Sequence, residues 1–593
     1  MTEKEIAWDL SEIFSGCDDP KISENMDALL KDSDEIVNEY KGRINTTNFS
    51  AQNLHNLLEK YESILVGQQD LEVFCWNLFN ANTLIPENKE LLNKYQNLKT
   101  SLEKKLAFLE LEIGKLVNTN PQLVEKEVLN NYQHYLKKIK AKSPYKLSET
   151  EEQIILEKDE SGVIAWEQLK DSWMSSRKFK VRVEGKEKMI TISDFVPLLH
   201  HPDRSTRISV IKAVCGSLGN EEEIYSSALR YICSDWVKIV NRRHYDNPIH
   251  QSLLDNDTTQ HIIDSLIKTI EDNIGIYQKF LKIKEKLLNL PKLNGVDLWA
   301  FPPFEKRYTW EEAKELIVRV YAKFDEIFGE YANDMFIRNH IDASTREGKT
   351  GGIYCYPWYK GKSAFILTSF KGLVSDLLFV THEMGHGIHS YLSSREQTFL
   401  NYIPGMVVAE TASKFGELLL TDYLLNTIKA KNERISLLTN QINLASYIFS
   451  HSARFRFEQN LYNAINKGEF LDGQTISQYW CAARDNVYRD SIEWFDEMKW
   501  IWITAPHYFL PNFRFYNYPY IYAQLFVYAL YHTYKNEGKE FVLKFKKLLS
   551  AGCSLSPEEL SKIVGLDITK ADFWQLGIKQ FEEFVDQLEK LTK

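Results

Sequence analysis

The chain has 593 residues, 44% of them hydrophobic and 26% charged, with a net charge of −10. That length exceeds what one ordinary core serves, so two or more domains or one large composite domain are expected. The acidic balance argues against a general nucleic-acid binder, which needs a basic stripe to neutralise phosphates. No run of about 18 apolar residues offers a membrane span, and the opening MTEKEIAWDL is too charged for a signal peptide.

Taken in order, most of the text has helical spacing. Residues 95–117 (YQNLKTSLEKKLAFLELEIGKLV) and 311–328 (EEAKELIVRVYAKFDEIF) place apolar residues three and four apart with charges between them. The densest basic run, HYLKKIKAKSPYK at 134–146, reads as a solvated helix face. LLHHPDRSTR at 198–207 interrupts the pattern and predicts a boundary, dividing an N-terminal helical lobe (1–200) from a second domain (201–593). The adjacent His200 and His201 have no carboxylate or cysteine at ligand spacing and read as loop or cap residues. Pro and Gly collect at breaks such as NLPKLNG (289–295) and REGKTGG (346–352). No internal repeat or low-complexity segment is present. The fold class is mainly α.

One region departs from this. GGIYCYPWYKGKSAFILTSF (351–370) predicts a hairpin, YCY and then AFILTS, around PWYKGK. Such a small sheet suits the binding of an extended peptide by strand addition. Seven cysteines (17, 75, 215, 233, 355, 481 and 553) form no CxxC pair. Their odd count and scatter fit a reducing interior, so the expected location is the cytosol. Cys355 is the cysteine closest in sequence to the histidines at 382–389 but has no adjacent base to activate it.

Residues 379–390 read FVTHEMGHGIHS. In a helix, His382 and His386 project side by side and can hold one zinc ion at about 2.0–2.1 Å each. Glu383 leans over the edge of that face, where it can address a water rather than the ion, the HExxH logic of a metalloprotease. A catalytic zinc needs a third protein ligand. The HExxHxxGxxH arrangement fails, because residue 389 is His and residue 392 is Leu. The remaining option is a carboxylate on a following helix. MVVAETASKFGELLLTDYLL (406–425) is apolar with few charges and carries Glu410 and, seven residues on and on the same face, Glu417. Buried carboxylates need a reason. Ligation by Glu410 and support of a ligand by Glu417 supply one, while a surface position is the other reading of Glu417.

HEMGH followed by ETASKFGE resembles the thimet-oligopeptidase family of zinc peptidases, in particular its oligoendopeptidase F branch. There, HExGH is followed about two dozen residues later by an E-x-x-S-x-x-x-E helix; the matching residues here are Glu410, Ser413 and Glu417. WDLSEIF (8–14) and GKTGGIYCY (348–356) are similar to the branch as well, and the likeness spans the chain. It implies one zinc ion on His382, His386 and Glu410, Glu383 as catalytic base, and oligopeptide substrates. It also implies a two-lobed helical body with a deep central channel that excludes folded proteins and a small β-sheet beside the zinc helix.

ITAPHYFLPNFRFYNYPYIYAQ (503–524) is rich in groups that could donate to a developing oxyanion. An aromatic stripe of this kind can equally be core. The family carries a histidine and a tyrosine-rich loop that closes over substrate; PHYF matches its start and points to His507 and Tyr508. Tyr516 and Tyr520 are preferred over Tyr518 and Tyr522, although LPNFRF stands where thimet-like enzymes have a glycine-rich hinge. His389 reads as supporting or structural. The function expected is a zinc endopeptidase for oligopeptides. The alternatives are a dipeptidyl carboxypeptidase, for which Arg514 could hold the substrate's C-terminus, and a non-catalytic peptide-binding scaffold. Oligomeric state is not legible.

Overall fold

Side-chain caps fix where many of the helices begin. The Ser50 hydroxyl accepts the Asn53 N–H at the head of Ala51–Ala81, Asp203 accepts the Ser205 and Thr206 N–H groups at Arg204–Asn220, and Thr309 and Glu312 cap Trp310–Phe324 reciprocally. The computed structural model describes residues 5–46, 48–300 and 306–593; the first four residues of the charged opening lie outside it. It is 73% helical with only small sheets, as the sequence predicts. No helix among the described residues is long and apolar enough to cross a membrane.

Three long periodic stretches are each broken once. Ala107 separates Pro86–Leu106 from Phe108–Thr119. Asp325 leaves helical geometry (φ −156°, ψ 141°) to cap the Ile327 N–H and start Glu326–Ile337. Met406–Ala409 is a single turn, and Glu410 stands between it and Thr411–Thr427. Apolar periodicity passes through such breaks because both halves bury the same face.

Strands β1 (Phe179–Val183) and β2 (Lys186–Ile190) form one antiparallel hairpin. Strands β3 (Ile341–Asp342), β4 (Tyr354–Trp358) and β5 (Ser363–Leu367) form a second sheet in the order β3-β5-β4. β4 and β5 are the predicted hairpin, with Tyr354 opposite Leu367 and Trp358 opposite Ser363. β5 is wholly buried and central, while β4 is an edge. Pro357 is tolerated on such an edge because it has no N–H to give a ladder.

The chain separates into two compact units, each assembled from three stretches. One takes residues 1–144, 305–427 and 530–568, the other 145–304, 428–529 and 569–593. The expected division at 200/201 therefore does not describe the compact units: residues 145–200 join the second, and 305–427 pack with the N-terminal helices. The break at 198–207 is a helix-to-helix turn within one unit, where His201 Nδ1 accepts the Asp203 N–H (3.1 Å).

In the first unit the N-terminal helices share a core with Trp358, Phe365 and Leu367 of the sheet. The Trp358 indole donates to buried Asp70 (2.7 Å), Tyr359 N–H donates to Gln69 (2.8 Å), and Trp8 of the WDLSEIF segment meets Phe365 edge-on at 6.3 Å. Lys349 anchors the loop before β4, its ammonium donating to Asp342 (2.7 Å) and to the Ser344 (3.0 Å) and Thr368 carbonyls. In the second unit Tyr277 stacks on Phe449 at 4.9 Å, and buried Asp297 pairs with Arg204 and Arg207.

Candidate metal centre and its surroundings

HEMGH lies in the middle of α1 (Val374–Glu396). The turn before it is fixed by Asp376, whose carboxylate accepts the Lys371 and Leu373 N–H groups (2.7 and 3.0 Å). α2 (Thr411–Thr427) packs along α1. Gly385 is where they touch: a Cβ there would lie 2.5 Å from the Ala412 carbonyl oxygen and from Ser413 Cα. The glycine inside the motif thus lets two backbones meet. That contact brings the start of α2 under the imidazoles of α1.

His382, His386 and Glu410 offer three ligand atoms that all lie within 4.8 Å of one another. The two Nε2 atoms are 3.2 Å apart. Glu410 Oε2 is 3.2 Å from His382 Nε2 and 3.7 Å from His386 Nε2. Glu410 occupies the break between the single turn and α2 (φ −80°, ψ 5°). Its Oε2 also accepts the Ser413 hydroxyl (2.9 Å), which fixes the carboxylate's direction. On the far side of His382, Nδ1 meets Glu417 Oε1 at 2.5 Å. Glu417 is thus packed against an imidazole and is not a surface residue. Two carboxylates against one imidazole, with a second imidazole at van der Waals range, form a donor set for a cation. Two nitrogens and one oxygen suit zinc, and a carboxylate behind a ligating histidine is a recurrent companion of such sites.

The two carboxylates make this cluster favour a positive charge. Burial works against a charged His382, but hydrogen bonds to Glu410 and Glu417 and their charges carry it up to about 10. Burial pushes His386 down to about 4, which keeps its lone pair free at neutral pH. Burial alone would raise Glu410; the His382 hydrogen bond and the charges around it hold it well below the usual carboxylate range. Glu383 is different. It is 7% exposed, and burial, helped by the charges of Glu410 and Glu417, pushes it up to about 7 against the pull of His382.

A cavity of about 440 Å³ runs along this cluster, lined by His382, Glu383, His386 and Glu410 together with Tyr354 and Cys355 of β4. The predicted hairpin therefore borders the predicted ligands. Burial pushes the Cys355 thiol well above its ordinary range, as expected of an inert cysteine. His389 also lines the cavity, is buried, and makes no hydrogen bond through Nδ1.

The remaining site candidates lie in the second unit. His507 sits in a short turn, Pro506–Tyr508, and stacks on Tyr516 at 5.2 Å. Tyr520 closes the group edge-on, 6.1 Å from His507 and 5.3 Å from Tyr516. Tyr508 is outside this group, buried against Phe457 at 5.0 Å. Tyr518 and Tyr522 are core: the Tyr518 hydroxyl donates to the Ser252 carbonyl (3.0 Å), and Tyr522 packs on Trp574. Arg514 lies over the Trp236 ring at 4.8 Å and donates to the Leu510 carbonyl.

Two residues received no role from the sequence. Ser413 orients Glu410, and its signal was the E-x-x-S spacing that places it one turn on. His451 joins the aromatic group, 5.7 Å from Tyr520. Its only signal was its place one turn after Tyr447, whose carbonyl its Nδ1 meets at 2.9 Å.

Residues 197–580 match the family model described as peptidase family M3, and 121–179 match one described as Oligopeptidase F. Oligopeptidase PepF of Bacillus subtilis is 26% identical over 99% of this chain and 87% of its own length. Group B oligopeptidase PepB of Streptococcus agalactiae is 24% identical over 100% and 98%. Among solved structures, a Chlamydophila abortus protein superposes with a TM-score of 0.88 at 20% identity, over 99% of this chain and 98% of that one. Oligoendopeptidase-F of Enterococcus faecium does so with 0.69 at 20% identity, over 96% and 98%. At those identities the structural likeness establishes the fold.

Proposed function

The chain belongs to peptidase family M3, and on that premise we propose that it is a zinc-dependent endopeptidase of short peptides, with His382, His386 and Glu410 as ligands and Glu383 as general base. The observation that carries this reading is the convergence of the three ligand atoms within 4.8 Å, in a cavity that Glu383 also lines. A zinc ion held there supplies a Lewis acid for the scissile carbonyl and the attacking water.

The protein's own groups do the rest. Glu383, poised near neutrality by burial, takes a proton from the attacking water and delivers it to the leaving nitrogen. Glu417 holds the His382 Nδ1 proton, so that Nε2 presents its lone pair. The edge of β4 binds the substrate backbone as an added strand. The family likeness assigns His507, with Tyr516 or Tyr520, to the developing oxyanion; Tyr508 is the weaker candidate because it is buried against Phe457.

The names of the relatives, oligopeptidase and oligoendopeptidase, support a preference for short peptides. Arg514 is engaged by Trp236 and Leu510, which favours endopeptidase over carboxypeptidase action. The test is Glu383→Gln, assayed on an internally quenched peptide with both ends blocked and analysed for metal. Cleavage should fall by about 10²–10⁴-fold with zinc content unchanged. Full activity in that variant removes the mechanism, and cleavage that survives a chelator removes the metal.

A further inference from the structure

The second unit holds a cavity of its own, of about 320 Å³, within the range of small-ligand sites. It lies against α3 (Tyr447–Asn466) and α4 (Gly473–Tyr488) and the 494–508 segment. Tyr447, Ser450, His451 and Arg454 recur on one face of α3 at helical spacing and all line it. Its walls are aromatic, with Trp480, Trp494, Trp502 and Tyr508 among them.

Its polar content is one-sided. Two arginines line it, and no Asp or Glu does among the described residues, in a chain with 82 acidic residues. Arg484 is already satisfied, paired with Asp485 at 2.8 Å and laid over the Trp494 ring at 4.3 Å. Arg454 has neither ion pair nor hydrogen bond among the described residues. Three further donors of the same lining are buried without an acceptor: Trp480 Nε1, Trp494 Nε1 and the Tyr508 hydroxyl. Trp480 is 8% and Tyr508 4% exposed. Buried donors without partners are costly. Here three of them surround a cavity with an unneutralised guanidinium, and every one of these groups can donate to an anion.

We propose that this cavity binds a carboxylate carried on an apolar or aromatic body, the anion held by Arg454 with Trp480, Trp494 and Tyr508 and the body packed among the indole and phenol rings. The same chemistry is offered by the C-terminal residue of a peptide and by a free aromatic acid. The inference stands apart from the metal centre and from peptide hydrolysis. It also gives Tyr508 a use that its burial withholds from it at the aromatic group of His507.

The experiment uses the full chain, held metal-free with a chelator so that His382, His386 and Glu410 have no ion to offer an anion. N-acetyl-phenylalanine and its uncharged amide are titrated by calorimetry and by tryptophan fluorescence. The acid should bind about tenfold or more tightly than the amide, the difference a charge-assisted contact makes. Arg454→Met should remove that preference, and Arg454→Lys should keep part of it. Trp480→Phe, which keeps an aromatic ring but deletes the N–H, should weaken the acid more than the amide. A pentapeptide ending in phenylalanine, acid against amide, separates the sources: acid-selective binding of the peptide assigns a chain end, whereas binding of the small acid alone assigns a free ligand. Equal affinity for acid and amide in the unmodified protein overturns the proposal, as does absence of binding at about 10 mM. An undiminished acid preference in folded Arg454→Met overturns it too.

Discussion

Glu417 Oε1 lies 2.5 Å from Nδ1 of His382 while Nε2 of the same ring faces Glu410. One imidazole is thus spanned by two carboxylates from α2 and the residue that precedes it, one on each nitrogen. Removing Glu417 frees the ring to rotate and to change tautomer. Glu417→Gln should weaken zinc affinity about 10–100-fold, read by competition with a chromogenic chelator. Unchanged affinity would mean that Glu417 only neutralises charge.

Gly385 carries a prediction about approach. A methyl group there would press on the Ala412 carbonyl, which is backbone and has little room to yield. Gly385→Ala should cost about 1–3 kcal/mol and pull Glu410 away from the imidazoles. A fall in denaturation midpoint together with lost zinc binding is expected. Loss of stability with zinc affinity intact would show that the two helices part without disturbing the ligands.

His340 should make the fold acid-sensitive. It is fully buried, and burial, with Arg338 nearby, lowers it to about 4 although Glu12 pulls the other way. Its Nδ1 is 2.8 Å from the Ser363 hydroxyl at the start of β5. Below about pH 6.5 the unfolded chain takes up a proton that the folded chain refuses until about 4. Stability is therefore complete above 6.5 and declines between 6.5 and 4, by about 3 kcal/mol from this group. Urea midpoints across that window should fall less steeply in His340→Gln than in the unmodified protein.

Glu458 should act with the opposite sign. It is buried, which pushes it up to about 7 despite the Phe515 N–H and the neighbouring Arg514 charge. Its Oε1 accepts that N–H at 2.7 Å, pinning Phe515 in the left-handed region at φ 55°, one residue before Tyr516. Between about pH 4.5 and 7 the folded state retains a proton that the unfolded state has lost, so stability declines as pH rises. Glu458→Gln keeps an acceptor for Phe515 and removes the charge. It should be more stable than the unmodified protein at pH 8, by about 3 kcal/mol at most, and equal to it near pH 4. Equal midpoints at both values would refute the assignment.

Much of the candidate cluster's geometry was legible because its parts sit close in sequence. His382, Glu383 and His386 are one helical turn, and Glu410 and Glu417 stand out as charges on an apolar stretch. The hairpin at 351–370 announced itself by its change of period. Two things were not legible. Apolar periodicity is blind to a local break, so the interruption at Glu410, which aims its carboxylate, read as continuous helix. The compact units were missed for a different reason: the turn at 198–207 looks like any boundary, and only long-range packing, such as Trp358 on Asp70, tells which stretches belong together. His451 and Arg454 were not legible as site residues because one histidine and one arginine at ordinary helical spacing read as any helix face.

The interleaving of the two units has a consequence for synthesis. Residues 382–410 carry the proposed metal ligands, yet the helix Lys539–Ser550, whose Phe545 stacks on Phe415 at 4.4 Å, completes their surroundings. The ribosome releases that helix some hundred and thirty residues after Glu410, at the roughly 5–20 residues per second of translation. The nascent chain thus carries α1 and α2 for several seconds or more before their last wall exists, and neither unit is complete until its final stretch, 530–568 or 569–593, has been made.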